Sequence, residues 1–189
     1  MSENAIKIGL LGNSSVGKSS LIRRFVDNKF DDNYMSTIGV DYFEKKVIIK
    51  NTEIKLIIQD TSGEERFRSI SKNYYKNVDG IIFVFDVTNQ SSFNEGIKYW
   101  LKECNEEIGK YEKILVGNKI DLNSVISKET IEKNFPTIQY FETSAKEGTN
   151  VDIIFKELVE LILKNSPEKK GNKSSKLGDD NFSAKKKCC

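Results

Sequence analysis

Residues 12–19, Gly-Asn-Ser-Ser-Val-Gly-Lys-Ser, constrain this chain more tightly than any other stretch. They fit the pattern G-x-x-x-x-G-K-[ST], in which each fixed residue has a physical task. Gly12 and Gly17 permit backbone angles closed to residues with a Cβ, so several N–H groups can turn inward toward one anion. Lys18 adds a mobile positive charge for terminal phosphates, and the Ser19 hydroxyl suits a phosphate-bound Mg²⁺. A helix starting here would aim the positive end of its dipole at the same anion. Context separates such a loop from an ordinary glycine-rich turn. Residues 5–11, Ala-Ile-Lys-Ile-Gly-Leu-Leu, form an apolar run of strand length. Over residues 20–26, Leu21, Ile22, Phe25 and Val26 fall on one helical face. A strand before and a helix after make this a phosphate loop.

Composition narrows the chemistry. The 189 residues make one domain by length, large enough to bury most of its unfolded surface without covalent staples. Histidine does not occur, which removes Ser-His-Asp triads, histidine bases and histidine-ligated metals. The three cysteines, Cys104, Cys188 and Cys189, cannot build a disulfide framework or a four-cysteine zinc site, and they suit a reducing cytosol. No apolar run approaches a membrane span, and no secretory h-region is expected at the N-terminus. The net charge of +2 conceals an asymmetry, because residues 166–189 carry seven lysines against three acids. The body is therefore slightly acidic and a poor partner for nucleic acid, whereas the basic tail suits an anionic membrane surface or simply solubility.

Along the chain, residues 27–39 read as a long polar loop. Residues 42–49 and 54–58 are strand-like and flank a short polar turn at 50–52, as in a hairpin. Asp60-Thr-Ser-Gly63 follows at the strand end, and residues 64–75 have weak helical character. Residues 80–85 form a continuous apolar run, the mark of a central strand buried on both faces. Ser92-Phe-Asn-Glu95 is a capping-box pattern, after which Phe93, Ile97, Trp100, Leu101 and Cys104 recur at helical spacing. Residues 113–117 predict a strand, 128–134 a short helix and 138–141 a last strand. The final helix carries Ile154, Phe155, Leu158, Leu161 and Ile162 on one stripe. Strands alternating with helices predict an α/β fold with a mostly parallel sheet covered on both faces. Every candidate motif falls just after a strand, at the edge where open α/β sheets bind ligands. From Ser166 onward periodicity is lost and a disordered tail is expected, leaving residues 1–165 as the folded domain.

Four separated signals then agree with one another. The phosphate loop, Thr37, Asp60-Thr-Ser-Gly63 and Asn118-Lys-Ile-Asp121 match in order the motifs of small Ras-like GTPases, and Glu142-Thr-Ser-Ala-Lys146 is a fifth. The carboxylate of Asp121 suits a guanine, accepting from N1–H and the 2-amino group; adenine presents neither donor there. Within that superfamily the chain resembles the Rab family over nearly its whole length. The segments that carry the resemblance are Ser36-Thr-Ile-Gly-Val-Asp41, Glu65-Arg-Phe-Arg-Ser-Ile70, Tyr74-Tyr75 with Asp79-Gly80, and Val84-Phe-Asp-Val-Thr88. The terminal Cys188-Cys189 resembles the doubly geranylgeranylated Rab ending rather than a C-a-a-X box. Two prenyl chains with lysines 185 to 187 would give two-signal membrane anchoring.

The resemblance implies a P-loop NTPase G domain, with a six-stranded, mostly parallel sheet, one antiparallel hairpin strand and helices on both faces. It implies roles as well. Ser19 and Thr37 would ligate Mg²⁺, and Asp60 would hold it through water. Lys18 and the Gly63 N–H would contact the terminal phosphates, and Ser14, Ser15, Val16, Gly17, Ser20 and Tyr34 would also bind the nucleotide. Phe30 would lie against guanine, with Asn118, Lys119, Asp121, Ser144, Ala145 and Lys146 forming the base site. Segments around Thr37 and after Gly63 would be switches ordered by the γ-phosphate. The implied partners are GTP and GDP, an exchange factor, an activating protein, a GDP dissociation inhibitor, prenylation machinery and effectors. The implied state is a monomer on the cytoplasmic face of an intracellular membrane, with a cytosolic pool, working in vesicle transport.

The chain also departs from the family pattern. Glu64 stands where the family usually has a Gln that orients the attacking water. A carboxylate accepts from that water but cannot donate to the transition state, and it adds negative charge where charge accumulates. It could also act as a base, so altered hydrolysis is expected without a fixed sign. Gln59 replaces the usual Trp and Tyr42 the usual Phe of an exposed aromatic effector patch that includes Tyr74; Ser62 and Asn77 are milder changes. Two other readings remain open: a GTP-binding scaffold that hydrolyses too slowly to cycle alone, and a P-loop kinase acting on a small substrate.

Overall fold

The computed structural model describes residues 5–32, 37, 39–62, 77–108 and 110–165. In chain order its elements are β1 (Ile6–Leu11), α1 (Lys18–Asp27), β2 (Val40–Ile49), β3 (Thr52–Thr61), β4 (Gly80–Asp86), α2 (π-helical Ser92–Ile97 continuing as α-helical Lys98–Glu107), β5 (Glu112–Asn118), α3 (Lys128–Asn134), β6 (Gln139–Thr143) and α4 (Val151–Asn165). The six strands form one sheet in the order β2-β3-β1-β4-β5-β6. Among the strands of the described residues, β2 and β3 pair antiparallel and the other neighbours pair parallel.

Strand alternation decides which side chains enter which core. In β4, Ile82 and Val84 point toward Leu21, Ile22 and Phe25 of α1 and Ile154, Phe155 and Leu158 of α4. Ile81, Phe83 and Phe85 point the other way, toward Phe93, Ile97, Trp100 and Cys104 of α2 and Ile131 of α3. The continuous apolar run of β4 thus serves two cores at once, as a doubly covered strand must. Phe25 stacks on Phe155 with ring centroids 3.9 Å apart, joining the two helices of one layer. Truncating Phe155 to Ala would cost about 3–5 kcal/mol.

Two local expectations change in detail. The hairpin turn contains only Lys50 and Asn51, because Ile49 pairs with Thr52. Both turn residues have positive φ, 48° and 65°, which matches the right-handed twist of the flanking strands. The start of α2 is capped by Asn89, not by the expected box at Ser92. The Asn89 side-chain oxygen accepts from the N–H groups of Ser91 and Ser92 at 3.0 and 3.1 Å. Ser92 is already inside the helix and buried, and its hydroxyl donates to the Asn89 carbonyl at 2.7 Å. A box-like spacing loses here to an Asx residue three positions earlier, which reaches two free N–H groups.

The sheet order turns back on itself at β1, whose neighbours are β3 on one side and β4 on the other. At such a reversal the loops after adjacent strands part and leave a crevice. Register brings the motif residues to that edge: Leu10 lies opposite Asp60, Asp86 opposite Asn118, and Asn118 opposite Thr143.

Candidate functional site

The phosphate loop crosses this crevice in contact with two other segments. A Cβ on Gly12 would lie 2.1 Å from the Val84 carbonyl oxygen, and one on Gly17 would lie 2.3 Å from the Asn118 side-chain nitrogen. Gly17 also sits at φ 97°, so both demands on it exclude a side chain. Asn118 Nδ2 donates to the Val16 carbonyl at 2.9 Å, which ties the loop to the end of β5. Lys18 is buried, and its Nζ donates to the carbonyls of Gly12 and Asn13, each at 2.9 Å. Burial lowers its pKa to about 8, against the opposing pull of the Asp60 charge.

Beside the loop, three oxygen-bearing side chains converge. Ser19 Oγ and Thr37 Oγ1 are 2.9 Å apart, and the Thr37 hydroxyl donates to Asp60 Oδ2 at 3.4 Å. Asp60 is fixed because it lies inside β3, whose next residue, Thr61, donates its hydroxyl to the Leu10 carbonyl at 2.7 Å. Burial pushes the Asp60 carboxyl above its ordinary pKa, while hydrogen bonding from Ser19, the Lys18 charge and the Thr37 hydroxyl pull it back. Its Oδ1 is buried without a hydrogen-bond partner. An unpartnered carboxylate oxygen beside two hydroxyls is a hard-oxygen set that fits Mg²⁺. No group of three or more His, Cys, Asp or Glu that could hold a metal occurs among the described residues. Mg²⁺ is in any case a cation that completes its shell with water and ligand phosphates rather than a protein cage.

At the other end lies a cavity of about 420 Å³. Of the expected binding residues, Ser15, Gly17, Ser19, Ser20, Phe30, Asn118, Lys119, Asp121, Ala145 and Lys146 line it. Asp121 Oδ1 accepts from the Ser144 hydroxyl at 2.6 Å, so Ser144 aims the carboxylate from behind. Asn118 Oδ1 accepts from the Ala145 N–H and the Thr143 hydroxyl, both at 3.2 Å. Asn118 thus fastens three chain segments together while facing the cavity. Lys119, at φ 71°, places its Nζ 2.6 Å from Asp86 Oδ2.

Val16, Lys18 and Ser144 are buried and do not line the cavity, and Thr37 belongs to the oxygen cluster with Ser19 and Asp60. Ser14 lies in the same phosphate loop. Tyr34, Gly63, Glu64, Cys188 and Cys189 lie outside the described residues, as do the helical segment expected over 64–75 and the tail from 166. Sequence reasoning missed the further lining residues Arg23, Lys29, Asp31, Asp32 and Leu122. It also missed Arg24, which donates to the carbonyls of Ala145 and Lys146 at 2.9 and 2.7 Å. Nothing in the Arg-Arg pair signals this, because the acceptors are backbone groups more than a hundred residues away. Gln59 is buried, with only 5% of its surface exposed, and its Oε1 is unpartnered, whereas Tyr42 opposite it on β2 is 54% exposed. The expected exposed patch therefore keeps Tyr42 but not Gln59.

A glycine-bounded phosphate loop at a sheet's reversal point, next to a metal-fitting oxygen cluster, defines a P-loop nucleotide-binding domain. The model of the Ras family matches residues 7–164. The chain is 42% identical over 172 residues to Ras-related protein Rab-1C of Dictyostelium discoideum, covering 87% of this chain and 84% of that one. It is 46% identical over 167 residues to Ras-related protein Rab-1 of Theileria parva, covering 82% and 73%. It is 40% identical over 181 residues to GTP-binding protein YPT1 of Saccharomyces cerevisiae, covering 92% and 86%. The chain belongs to the Rab family of small GTPases, within the Ras superfamily. It is accordingly a GTP-hydrolysing, GTP-binding switch of vesicle traffic, a class that binds GTP or GDP with Mg²⁺ and acts through regulators and effectors.

Proposed function

We propose that this chain cycles between GDP- and GTP-bound states on a membrane, with the site residues divided by chemistry along one cleft. At the phosphate end the loop N–H groups of residues 14–20 and the Lys18 ammonium receive the β- and γ-phosphates. Ser19, Thr37 and Asp60 would hold Mg²⁺, Asp60 through water, and the ion would supply neutralising charge at the phosphates. At the base end Asp121 accepts from guanine N1–H and the 2-amino group, while Phe30 and Lys119 cover the ring. Ala145 and Lys146 close the rim. Thr37 lies in a segment that reports the γ-phosphate, because its hydroxyl already meets Ser19 and Asp60. The single observation that carries this reading is Asn118, whose amide holds the phosphate loop through Val16 and the base loop through Ala145.

Residues 1–165 form the nucleotide-binding domain in this reading, and 166–189 form a basic tail geranylgeranylated at Cys188 and Cys189. No helix among the described residues is long and apolar enough to cross a membrane. Attachment to the cytoplasmic face of an intracellular membrane then rests on lipid and lysines, with a cytosolic pool carried by a GDP dissociation inhibitor.

The test is the nucleotide that co-purifies with the protein, followed by single-turnover assays. Guanine nucleotide should be recovered, and GTP but not ATP should be hydrolysed, with turnover lost on chelating Mg²⁺. Recovery of adenine nucleotide would overturn the base assignment and revive a kinase.

A further inference from the structure

We propose that Arg24 is a positioning residue that clamps the guanine-reading loop onto α1 and so sets both base selectivity and nucleotide residence time. This rests on the assignment of Asp121 and residues 144–146 to the base. Arg24 uses its whole planar fork. Nε donates to the Ala145 carbonyl at 2.9 Å, Nη2 to the Lys146 carbonyl at 2.7 Å, and Nη1 to the Asn28 carbonyl and side-chain oxygen at 3.0 and 3.2 Å. A lysine has the charge but cannot span these acceptors with one rigid plane.

The acceptors lie on both walls of the base end. Asn28 ends α1 at φ 54° and redirects the chain into Lys29 and Phe30, whose ring centroid is 6.0 Å from the guanidinium carbon. Opposite, the segment after Lys146 turns through Gly148, at φ 79°, where the Cβ position faces the Arg24 stem at 3.6 Å. Two hydrogen bonds connect the clamp to the base reader. The Ala145 N–H bonds Asn118, and the neighbouring Ser144 hydroxyl fixes Asp121 at 2.6 Å. Releasing the carbonyls of Ala145 and Lys146 would let Ser144 shift, and the Asp121 carboxylate would lose the orientation that a 2-amino group requires. The phosphate end is held by other bonds, those of Lys18, Thr61 and Asn118. Loss of Arg24 should therefore be felt by the base more than by the phosphates.

The experiment measures dissociation of methylanthraniloyl-GDP and methylanthraniloyl-IDP, which lacks the 2-amino group, from the full chain in Mg²⁺. Wild type, Arg24→Gln, Arg24→Lys and Asp121→Ala are compared. Arg24→Gln should release GDP about tenfold faster or more, and its GDP-over-IDP residence ratio should fall by about threefold or more. Arg24→Lys should fall between, and it carries the test should the Gln variant not fold. Chelating Mg²⁺ should speed release by the same factor in wild type and variants of Arg24. Equal acceleration of both nucleotides with the ratio intact would mean that Arg24 only stabilises the fold, and the proposal would fail. GDP release within about threefold of wild type would also overturn it. If Asp121→Ala collapses the ratio and the Arg24 variants do not, the clamp alone is wrong. If Asp121→Ala leaves the ratio unchanged, the base assignment falls and the clamp falls with it.

Discussion

In the proposed site the side chain whose replacement tests turnover most directly is Glu64, because its chemistry differs from the amide that the family usually has there. A Gln can donate to the transition state while accepting from the attacking water; a carboxylate only accepts. In the proposed site it would stand near the γ-phosphate, where its negative charge opposes the charge that builds up in the transition state. Glu64→Gln is therefore expected to raise single-turnover GTP hydrolysis by about tenfold to a hundredfold. A native rate equal to or above that of the variant would show the carboxylate working as a base instead. Stimulated hydrolysis should be less affected, since an arginine finger from an activating protein is worth about 10³–10⁵ in rate. At this scale the site was legible where type and spacing carry chemistry, as at Gly17, Lys18, Ser19, Asn118 and Asp121. It was not legible at Arg24, whose acceptors are carbonyls of a distant segment, nor in the burial of Gln59, which depends on what covers β3.

Elements were legible wherever burial imposes a period. The short helix over 128–134 has the bounds that its pattern predicts, and β4 shows the uninterrupted apolar run of a strand with two cores. What periodicity cannot reveal is a change of helical pitch. Residues Ser92–Ile97 are π-helical, and the widening brings Gly96 against the phosphate loop. A Cβ there would lie 2.7 Å from Asn13 Oδ1, an atom that is itself buried without a hydrogen-bond partner. Gly96 thus serves close approach rather than a turn, and α2 rests against Asn13 of the glycine-bounded loop. Replacing a helical Gly by Ala normally stabilises by about 1 kcal/mol. Here Gly96→Ala should lose most of that gain, because the half-buried Asn13 side chain must turn aside. In an Asn13→Ala background the same substitution should recover the ordinary gain. A denaturant-unfolding double-mutant cycle measures this, and additive effects would mean that the two residues are not coupled.

On the scale of the whole molecule, the site is held by loops that follow three separate strands. The phosphate loop follows β1, Asn118 to Asp121 close β5, and Ser144 to Lys146 close β6. Among the described residues the Asn118 side chain and the Ser144–Asp121 bond tie these loops to one another, and Arg24 ties the last of them to α1. A nucleotide spanning the cleft would add contacts to all three at once, and Mg²⁺ would draw in Thr37 and Asp60. None of these contacts exists in the unfolded chain, so binding energy converts directly into folding energy as RT ln(1 + [L]/Kd). At a thousandfold excess of GDP over its Kd this amounts to about 4 kcal/mol. For a domain of this size that raises the melting temperature by about 8–16 °C. Calorimetry with saturating GDP and Mg²⁺ should show this shift, chelation should remove much of it, and ATP at the same concentration should produce none. The ATP arm is decisive, because phosphate contacts alone would stabilise with either nucleotide. An equal shift from ATP would mean that the loops after β5 and β6 do not read the base, and that the cleft binds through its phosphate end only.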